Sequence, residues 1–409
     1  MNPITLAVVS DMHVGRSARS RDLCPYDDGE GLDDDYVRHF IDFVRSEQIE
    51  ADYLVVPGDA SHTAAPVEFE RASAAVLSIA TQMGVNEDRI LFVPGNHDVD
   101  WNVLNDPDPT GFRKKQRYGP LAEDSWVFGR ILQDSNGNLL DHPNFAIWES
   151  SDLVVVGYNS SSHDDPHQAI HRGAIAQSDI EELQKTLNAL SLAPECLRLF
   201  VVHHHPINYS DPIPDDPDFS GMTNAENLLR LLQKYNFDLI VHGHKHSPRF
   251  SRHILDAGLP LAILCSGSFS LLLDTRWSGL VSNQFHLISV CGRDEHNQCI
   301  KGAVYSWAYI VGRHWIPSQQ SNGIRHIEPF GTYIQPAALK AFVQPLVEEQ
   351  LAAQNWASWD AIVTNAPDLE HLPTERILEV LDSVAADTHA TRVGSPPDRI
   401  VLVREDSDG

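Results

Sequence analysis

Short runs of apolar, often β-branched residues alternate with amphipathic segments through the first 310 residues of the chain. The amphipathic segments repeat apolar residues at helical spacing, as Val37, Phe40 and Val44 do. Strands that alternate with helices are typical of α/β architecture, in which helices connect parallel strands. We therefore predict an α/β fold with strands at residues 4–9, 53–56, 90–93, 153–157, 199–202, 239–241 and 261–265.

The pattern changes after residue 265, and the elements predicted there are strands at 284–290, 303–311 and 399–403 and helices at 337–353 and 374–387. We divide the chain into a main domain at 1–312 and a small mixed α/β extension at 313–409. Three tryptophans of the extension, Trp315, Trp356 and Trp359, suggest that it packs on another surface. We predict a docking or oligomerisation module, which would bind a protein partner or a second copy of the chain.

The composition is that of an ordinary globular protein, with 42% hydrophobic and 21% charged residues among 409. No window approaches the roughly 20 apolar residues of a membrane span. The N-terminus runs directly into a predicted strand without the basic and apolar segments of a leader. The five cysteines are scattered and odd in number, so they imply no disulfide framework. These features predict a cytoplasmic protein with no membrane contact.

The formal net charge of −27 limits the class of partner. Sequence-independent binding of long nucleic acid depends on lysines and arginines that neutralise several phosphates, and this chain has a large acidic excess. A small anionic substrate is compatible with that charge, because a bound pair of divalent cations reverses the local field. We predict a small-molecule substrate and no long nucleic acid.

Five predicted strands end in residues with carboxylate, amide or imidazole side chains. Ligands of open α/β sheets bind in the crevice at the carboxyl ends of the strands, so these side chains are expected to meet there. Mixed oxygen and nitrogen donors suit Mn, Fe or Zn better than Mg or Ca. In chain order the groups are Asp11 and His13, then Asp59, then Asn96, His97 and Asp98, then His203, His204 and His205, and finally His244 and His246.

Each motif alone is usually a turn, but five of them in this order, each closing an apolar strand, are specific. The series Asp11-x-His13, Gly58-Asp59, Gly95-Asn96-His97-Asp98, His204-x-Pro206 and Gly243-His244-x-His246 resembles the calcineurin-like metallophosphoesterases over about residues 4–270. The Ser266-Gly267-Ser268 turn and the two strands that follow it also resemble the cyclic-nucleotide phosphodiesterase branch of that family.

The resemblance implies a two-sheet α/β sandwich flanked by helices, with a dinuclear centre of two divalent ions (Mn, Fe or Zn, with Mn favoured). It implies that His97 faces the substrate as a general acid and that Asp98 orients its ring. Position alone leaves His203 and His205 open as ligands, but in the family the ligand lies two residues before the proline, which selects His204. The implied metal ligands are Asp11, His13 and His246 for the first ion, Asn96, His204 and His244 for the second, and Asp59 as the bridge.

The resemblance predicts hydrolysis of a small phosphodiester, such as a cyclic nucleotide, by attack of a metal-activated hydroxide. A nuclease or phosphomonoesterase of the same superfamily is the alternative, and an interaction module that kept the fold is a third hypothesis. We predict that Arg16 and Asn159 contact the substrate. The insertion at 99–150 carries cations and aromatic rings that either cap the site or form a solvated surface excursion.

Overall fold

The computed structural model describes most of the chain and provides its sheets, helices and side-chain contacts. The described residues are 2–29, 31, 33–101, 118, 144–163, 172–209, 220–255, 260–273, 280–294, 298–395 and 399–404. Within these ranges, every helix is too short or too polar to cross a bilayer. Most of the 99–150 insertion lies outside the described residues, so its predicted role as a cap stays a prediction.

Sixteen strands and seven α-helices are found among the described residues. The strands are β1 (Ile4–Val8), β2 (Tyr53–Val56), β3 (Ile90–Phe92), β4 (Phe145–Glu149), β5 (Leu153–Tyr158), β6 (Leu197–Val202), β7 (Leu239–His242), β8 (Arg249–His253), β9 (Leu261–Cys265), β10 (Gln284–Arg293), β11 (Ile300–Ile310), β12 (His314–Pro317), β13 (Ile327–Phe330), β14 (Trp356–Ser358), β15 (Ala390–Val393) and β16 (Val401–Arg404). The helices are α1 (Tyr36–Ser46), α2 (Pro66–Gln82), α3 (Gln177–Ala189), α4 (Ala225–Lys234), α5 (Pro336–Gln354), α6 (Trp359–Asn365) and α7 (Thr374–Asp387).

Two large sheets contain the strands up to β13. The first has the order β12-β11-β10-β1-β2-β3, with β13 paired to another stretch of β11, and β1, β2 and β3 are parallel. The second has the order β4-β5-β6-β7-β9-β8, with parallel strands β5, β6, β7 and β9 between two antiparallel edges. The prediction of an α/β fold with two sheets and flanking helices is confirmed.

Alternate residues of β6 show how the two sheets form a sandwich. Leu199 and Val201 belong to the core shared with β1, β2 and β3, whereas Phe200 and Val202 belong to a second core with α3 and α4. Successive side chains of a strand point to opposite faces, so both faces of this strand are covered. Burial on both faces explains why the central strands are continuous apolar runs.

The edge strands β4 and β8 were not predicted from the sequence. β8 reads Arg249-Phe250-Ser251-Arg252-His253, and all five residues are partly exposed. A strand at the edge of a sheet is less buried than a central strand, and its sequence lacks the apolar run that identified β5, β6 and β7. The amphipathic helix α2 was also missed.

The extension forms a third sheet, with the order β14-β16-β15, and its own hydrophobic core under α5 and α7. The predicted boundary at residue 312 falls inside the first large sheet, because β12 and β13 pair with β11. The separate core therefore begins with α5, at Pro336. Trp315 packs in the main core beside Phe40 and Phe43, while Trp359 is buried in the core of the extension and Trp356 is 43% exposed.

A buried ion pair joins the ends of the two large sheets. Arg293, at the end of β10, donates two hydrogen bonds of 2.6 Å to the carboxylate of Asp238, which immediately precedes β7. Both side chains are almost inaccessible, with 8% and 5% exposure. Asp238 also accepts the backbone N–H of Arg198 in the neighbouring strand β6. One carboxylate thus fixes three strands from two sheets.

Replacing Asp238 with alanine is expected to lower the free energy of unfolding by about 3–5 kcal/mol, because it leaves the Arg293 guanidinium buried without its counter-charge. Urea unfolding followed by tryptophan fluorescence measures the change. Asp42→Ala is the matched control: Asp42 pairs with Arg45 at 2.9 Å, but the two side chains are 57% and 63% exposed. Asp42→Ala should lower the free energy of unfolding by less than about 1 kcal/mol. An equal decrease in both variants would contradict the structural role of Asp238.

Candidate metal centre

The carboxyl ends of β1, β2 and β3 meet those of β6 and β7 at one edge of the sandwich. Each strand is followed within four residues by polar side chains that are buried or partly buried. The exposed fraction is 0% for Asp11, 1% for Asp59 and 7% for Asn96. Buried polar side chains need partners, and here they find them in one another. The sheets therefore bring together residues that lie more than 200 positions apart in the chain.

Five of these polar residues have backbones in the left-handed region, with φ of 50° at Asp11, 47° at His13, 52° at Asp59, 70° at His244 and 51° at His246. This conformation costs a residue other than glycine about 1 kcal/mol or more. It persists where the surrounding structure determines it, as in the hydrogen bonds from Asp11 N–H to the Gly58 carbonyl and from His13 N–H to the Asp59 carbonyl. Such strain typically accumulates at functional sites.

Two glycines allow the backbone to approach the carboxylates closely. A Cβ atom at Gly243 would collide with the side chains of Ser10 and Asp11, and one at Gly95 would collide with Asp59. The missing side chains leave the Asp11 carboxylate free to accept the backbone N–H of His244 at 3.0 Å. These glycines therefore let β3 and β7 end directly against the two carboxylates.

Four side chains form a first cluster, with ligand atoms that all lie within 4.8 Å of one another: Asp11, His13, Asp59 and His246. Nε2 of His246 lies 3.1 Å from Oδ1 of Asp11 and 3.3 Å from Nε2 of His13. Nε2 of His13 lies 3.5 Å from Oδ2 of Asp59. Two carboxylates and two imidazoles form a donor set that suits a borderline divalent metal.

A second cluster shares Asp59 with the first and adds His203 and His244. Nε2 of His203 lies 3.2 Å from Oδ2 of Asp59 and 3.2 Å from Oδ1 of Asn96. Oδ1 of Asn96 is also 3.1 Å from Nδ1 of His244. The Asp59 carboxylate is thus the element common to two adjacent sets of donors, as a bridging ligand would be.

The structure places His203 in this cluster, whereas the spacing to Pro206 selects His204. His203 is the first residue after β6, and its Nδ1–H donates to the Pro57 carbonyl at 2.8 Å, which turns Nε2 toward Asp59. His204 is outside this group of close ring nitrogens: its Nδ1 lies 2.8 Å from the Ser160 hydroxyl, and its ring packs on that of His244 with centroids 4.4 Å apart. The end of the strand, rather than the distance to the proline, determines which ring enters the cluster.

Asp59, His13 and His244 carry charge states that suit metal binding, whereas His203 is protonated beside Asp59 and releases that proton if it binds a metal. Burial lowers the pKa of His13 and of His244 well below the ordinary value, so both rings are neutral and offer a lone pair. Burial raises the pKa of Asp59, but His203 and His97 outweigh it, and the pKa is well below its usual range. Burial lowers the pKa of His203, and the Asp59 carboxylate outweighs this and raises it to about 9. The Asp59 charge thus attracts a cation to this point.

A family model described as calcineurin-like phosphoesterase matches residues 4–248, which is more than half of the chain. The chain belongs to this family. The match covers both clusters, from Asp11 to His246, and ends where β8 begins. No curated protein matches the phosphoesterase significantly.

Solved structures similar to this phosphoesterase share little sequence with it. Purple acid phosphatase PPD1 from yellow lupin (Lupinus luteus) is 12% identical, with a TM-score of 0.44, over 75% of this chain and 52% of that one. The NAD nucleotidase NadN of Haemophilus influenzae is 11% identical, with a TM-score of 0.39, over 78% and 54%. Phosphopantetheinyl hydrolase PptH of Mycobacterium tuberculosis is 14% identical, with a TM-score of 0.31, over 64% and 89%. The phosphoesterase spans about half the length of the lupin and Haemophilus proteins.

The ring of His97 borders the first cluster of the phosphoesterase, with its centroid 4.6 Å from that of His13. Its Nδ1–H donates to the His62 carbonyl at 2.8 Å, and the ring is half-buried. The prediction that Asp98 orients this ring is wrong. The Asp98 carboxylate instead accepts the backbone N–H groups of Gly95 and Ser61 at 2.9 and 2.8 Å, and so holds the loops after β2 and β3 together.

His62 is a site residue that the sequence motifs did not reveal. Its ring stacks on His97 with centroids 5.3 Å apart and planes 16° apart, and His13, His62 and His97 form a third group of close ring nitrogens. Nδ1 of His62 lies 2.7 Å from the Ser17 hydroxyl, and its backbone N–H donates to the buried Glu68 carboxylate. The sequence feature that could have revealed His62 is its position, three residues after Asp59 in the same loop.

The two residues predicted to contact substrate have different surroundings. Arg16 is exposed, lies over the Tyr26 ring and pairs with Asp28 at 3.1 Å. Asn159 is fully buried and donates to the Tyr118 hydroxyl at 2.9 Å. Neither is among the residues that form the clusters, and their contact with substrate stays a prediction.

Proposed function

We propose that the chain is a metal-dependent phosphodiesterase that hydrolyses a small soluble diester, such as a cyclic nucleotide, at a centre of two divalent ions. The observation that supports two ions is the pair of donor clusters that share the Asp59 carboxylate. The first ion would be held by Asp11, His13 and His246, and the second by Asn96, His203 and His244. His203 replaces His204 in this assignment because its ring nitrogen lies beside Asp59 and Asn96.

When bound, two divalent ions supply a nucleophile from water near neutral pH and stabilise charge on the phosphoryl oxygens. Manganese, iron and zinc all fit the mixed donors, and Mn is our first choice. The residues of the chain fix the donors in advance. Bonds such as His203 Nδ1–H to the Pro57 carbonyl orient the ligand rings before a metal arrives.

The leaving oxygen of a diester departs as an alkoxide and needs a proton. His97 is placed to donate it from Nε2, because its Nδ1–H is already bound to the His62 carbonyl. His62 stacks on the ring and keeps it in that orientation. Asp98 acts on the backbone rather than on the ring, and it keeps the loop that carries His97 against the loop that carries Asp59.

The charge of the chain favours a small substrate over a polymer. A net charge of −27 repels long nucleic acid, while the acidic ligands of the centre are neutralised locally by the ions they bind. A cytoplasmic location and a partner bound through the extension stay predictions from the sequence. A phosphomonoesterase or a nuclease would use the same clusters, and the assay below separates these activities from a phosphodiesterase.

The test compares hydrolysis of a chromogenic phosphodiester with that of the matching phosphomonoester, using chelator-treated protein to which Mn is restored. Diester turnover that requires the metal is the expected result, and cyclic nucleotides and oligonucleotides are then compared as substrates. A preference for the monoester would replace the proposal with a phosphatase. Turnover that survives chelation would contradict the metal centre itself.

His97→Ala is expected to lower diester turnover by at least about a hundredfold while the metal content stays that of the wild type, because His97 supplies a proton but no metal ligand. Metal per chain is measured by mass spectrometry on the same sample. His39→Ala is the control, since His39 is a partly exposed histidine on α1 that packs on the His314 ring. Turnover of His97→Ala equal to the control would remove His97 from the role of acid.

A further inference from the structure

A second cavity lies away from the metal centre, where the catalytic sandwich meets the extension. It has a volume of about 780 Å³, which is in the range of small-molecule sites. Its walls come from β8, from the segment 320–333 that contains β13, and from the start of α7. None of the residues that line it belongs to the two donor clusters.

Four arginines line this cavity: Arg249 and Arg252 from β8, Arg325 from the segment before β13, and Arg376 from the first turn of α7. The whole chain has 30 lysines and arginines against 57 acidic residues, so a cavity with four arginines and two glutamates reverses the charge of the molecule locally. Arginines brought from three separate segments to one cavity form a pattern suited to phosphate or carboxylate recognition.

The carboxylates nearby neutralise only part of the charge of these arginines. Glu328 lies 3.7 Å from Arg325 and also accepts the backbone N–H of Thr374. Arg376 pairs at 2.8 Å with Glu379, whose side chain is 64% exposed. Within the described ranges Arg252 has no ion-pair partner, and burial together with the neighbouring Arg376 lowers its pKa. A partly buried cation beside another cation is costly unless an anion compensates it.

Apolar side chains surround the arginines at the cavity mouth. Ile254, Leu280 and Tyr333 all line it, and each is more than 40% exposed. Large apolar side chains that remain exposed around a polar cavity are typical of ligand sites. A ligand that fits has an anionic group for the arginines and an apolar or aromatic body for this rim.

We propose that this cavity binds a phosphorylated small molecule with an aromatic body, of the nucleoside monophosphate class, at a site separate from the metal centre. The phosphate pairs with Arg252 and Arg376, which both line the cavity. The body packs on Tyr333 and its apolar neighbours. The extension is required for this site, because it contributes Arg376.

The experiment measures equilibrium binding of radiolabelled AMP to the full-length chain carrying Asp59→Asn, so that neither hydrolysis nor intact metal ligands contribute. Adenosine, which lacks the phosphate, is the comparison ligand. Arg252→Gln and Arg376→Gln are added one at a time, and Arg38→Gln, an exposed arginine on α1 paired with Asp35, is the matched control. Thermal melting verifies that every variant is folded.

AMP is expected to bind at least tenfold more tightly than adenosine, and each cavity variant is expected to weaken AMP binding by about 10- to 100-fold, as the loss of a charged hydrogen-bond partner typically does. Arg38→Gln should leave binding unchanged. Equal affinity in Arg252→Gln, Arg376→Gln and the control would overturn the proposal. So would an absence of AMP binding, or binding to the wild type that Asp59→Asn abolishes, since the latter places AMP at the metal centre.

Discussion

Asp59→Asn is expected to lower diester turnover by at least about a hundredfold and to reduce the metal content of the purified chain. Asp59 is the one carboxylate common to both donor clusters, so its loss weakens both sites at once. Asparagine keeps the size of the side chain but removes its negative charge. In the folded protein, His203 and His97 interact with that charge. Turnover of the chromogenic diester and metal per chain are measured on the same preparation.

The control for Asp59→Asn is Asp42→Asn, which makes the same replacement at an exposed carboxylate on α1. It should leave turnover and metal content at the wild-type level. Asp59 Oδ1 also accepts the backbone N–H of His97 at 2.9 Å, so the melting temperature is compared to exclude a loosened loop as the cause. A folded Asp59→Asn chain with full metal and full turnover would refute the bridging role.

His203→Ala is expected to weaken metal binding much more than His204→Ala does. The ring of His203 lies beside Asp59 and Asn96, and its removal takes a donor from the second cluster. His204 contacts the Ser160 hydroxyl and packs against the His244 ring at 4.4 Å, so we expect it to support a metal ligand rather than to be one. Loss of such a supporting residue typically costs about 10- to 100-fold in metal affinity.

Isothermal titration of Mn into the two chelator-treated variants shows which histidine is the metal ligand. We expect His203→Ala to bind Mn at least about tenfold more weakly than His204→Ala. His205→Ala is the control from the same tripeptide, since His205 binds the Ile207 carbonyl and the Ser220 hydroxyl. If His204→Ala lost more affinity than His203→Ala, the assignment from the sequence spacing would be restored.

The sheets and the general position of the site were predictable because central strands are apolar and their carboxyl ends meet. Strands β1, β2, β7 and β9 were predicted within about one residue of their observed ends. Edge strands such as β8 carry no apolar run, so the sequence did not reveal them. The boundary of the extension was also missed, since strand pairing by β12 and β13 depends on distant residues rather than on local pattern.

Within the site, motif spacing identified segments better than it identified individual contacts. His203 and His204 are adjacent and chemically identical, and only the end of β6 and the Pro57 carbonyl distinguish them. Asp98 follows His97 directly, yet its carboxylate bonds to backbone of two loops, because a neighbour in sequence need not be a neighbour in space. His62 was missed because the stacking of its ring on His97 depends on the folded loop.

The wide separation of the donors along the chain also has a consequence for the order of folding. Asp11 and His244 lie 233 positions apart, and they contact each other only when β1 and β7 have taken their places in separate sheets. Contacts of such long range form slowly, because the intervening chain must first lose conformational freedom. During synthesis, the first donor cluster is incomplete until His246 has emerged from the ribosome, and the second until His244 has. Metal binding by these donors would therefore follow the docking of the two sheets, so that an ion would stabilise the finished sandwich rather than guide its assembly.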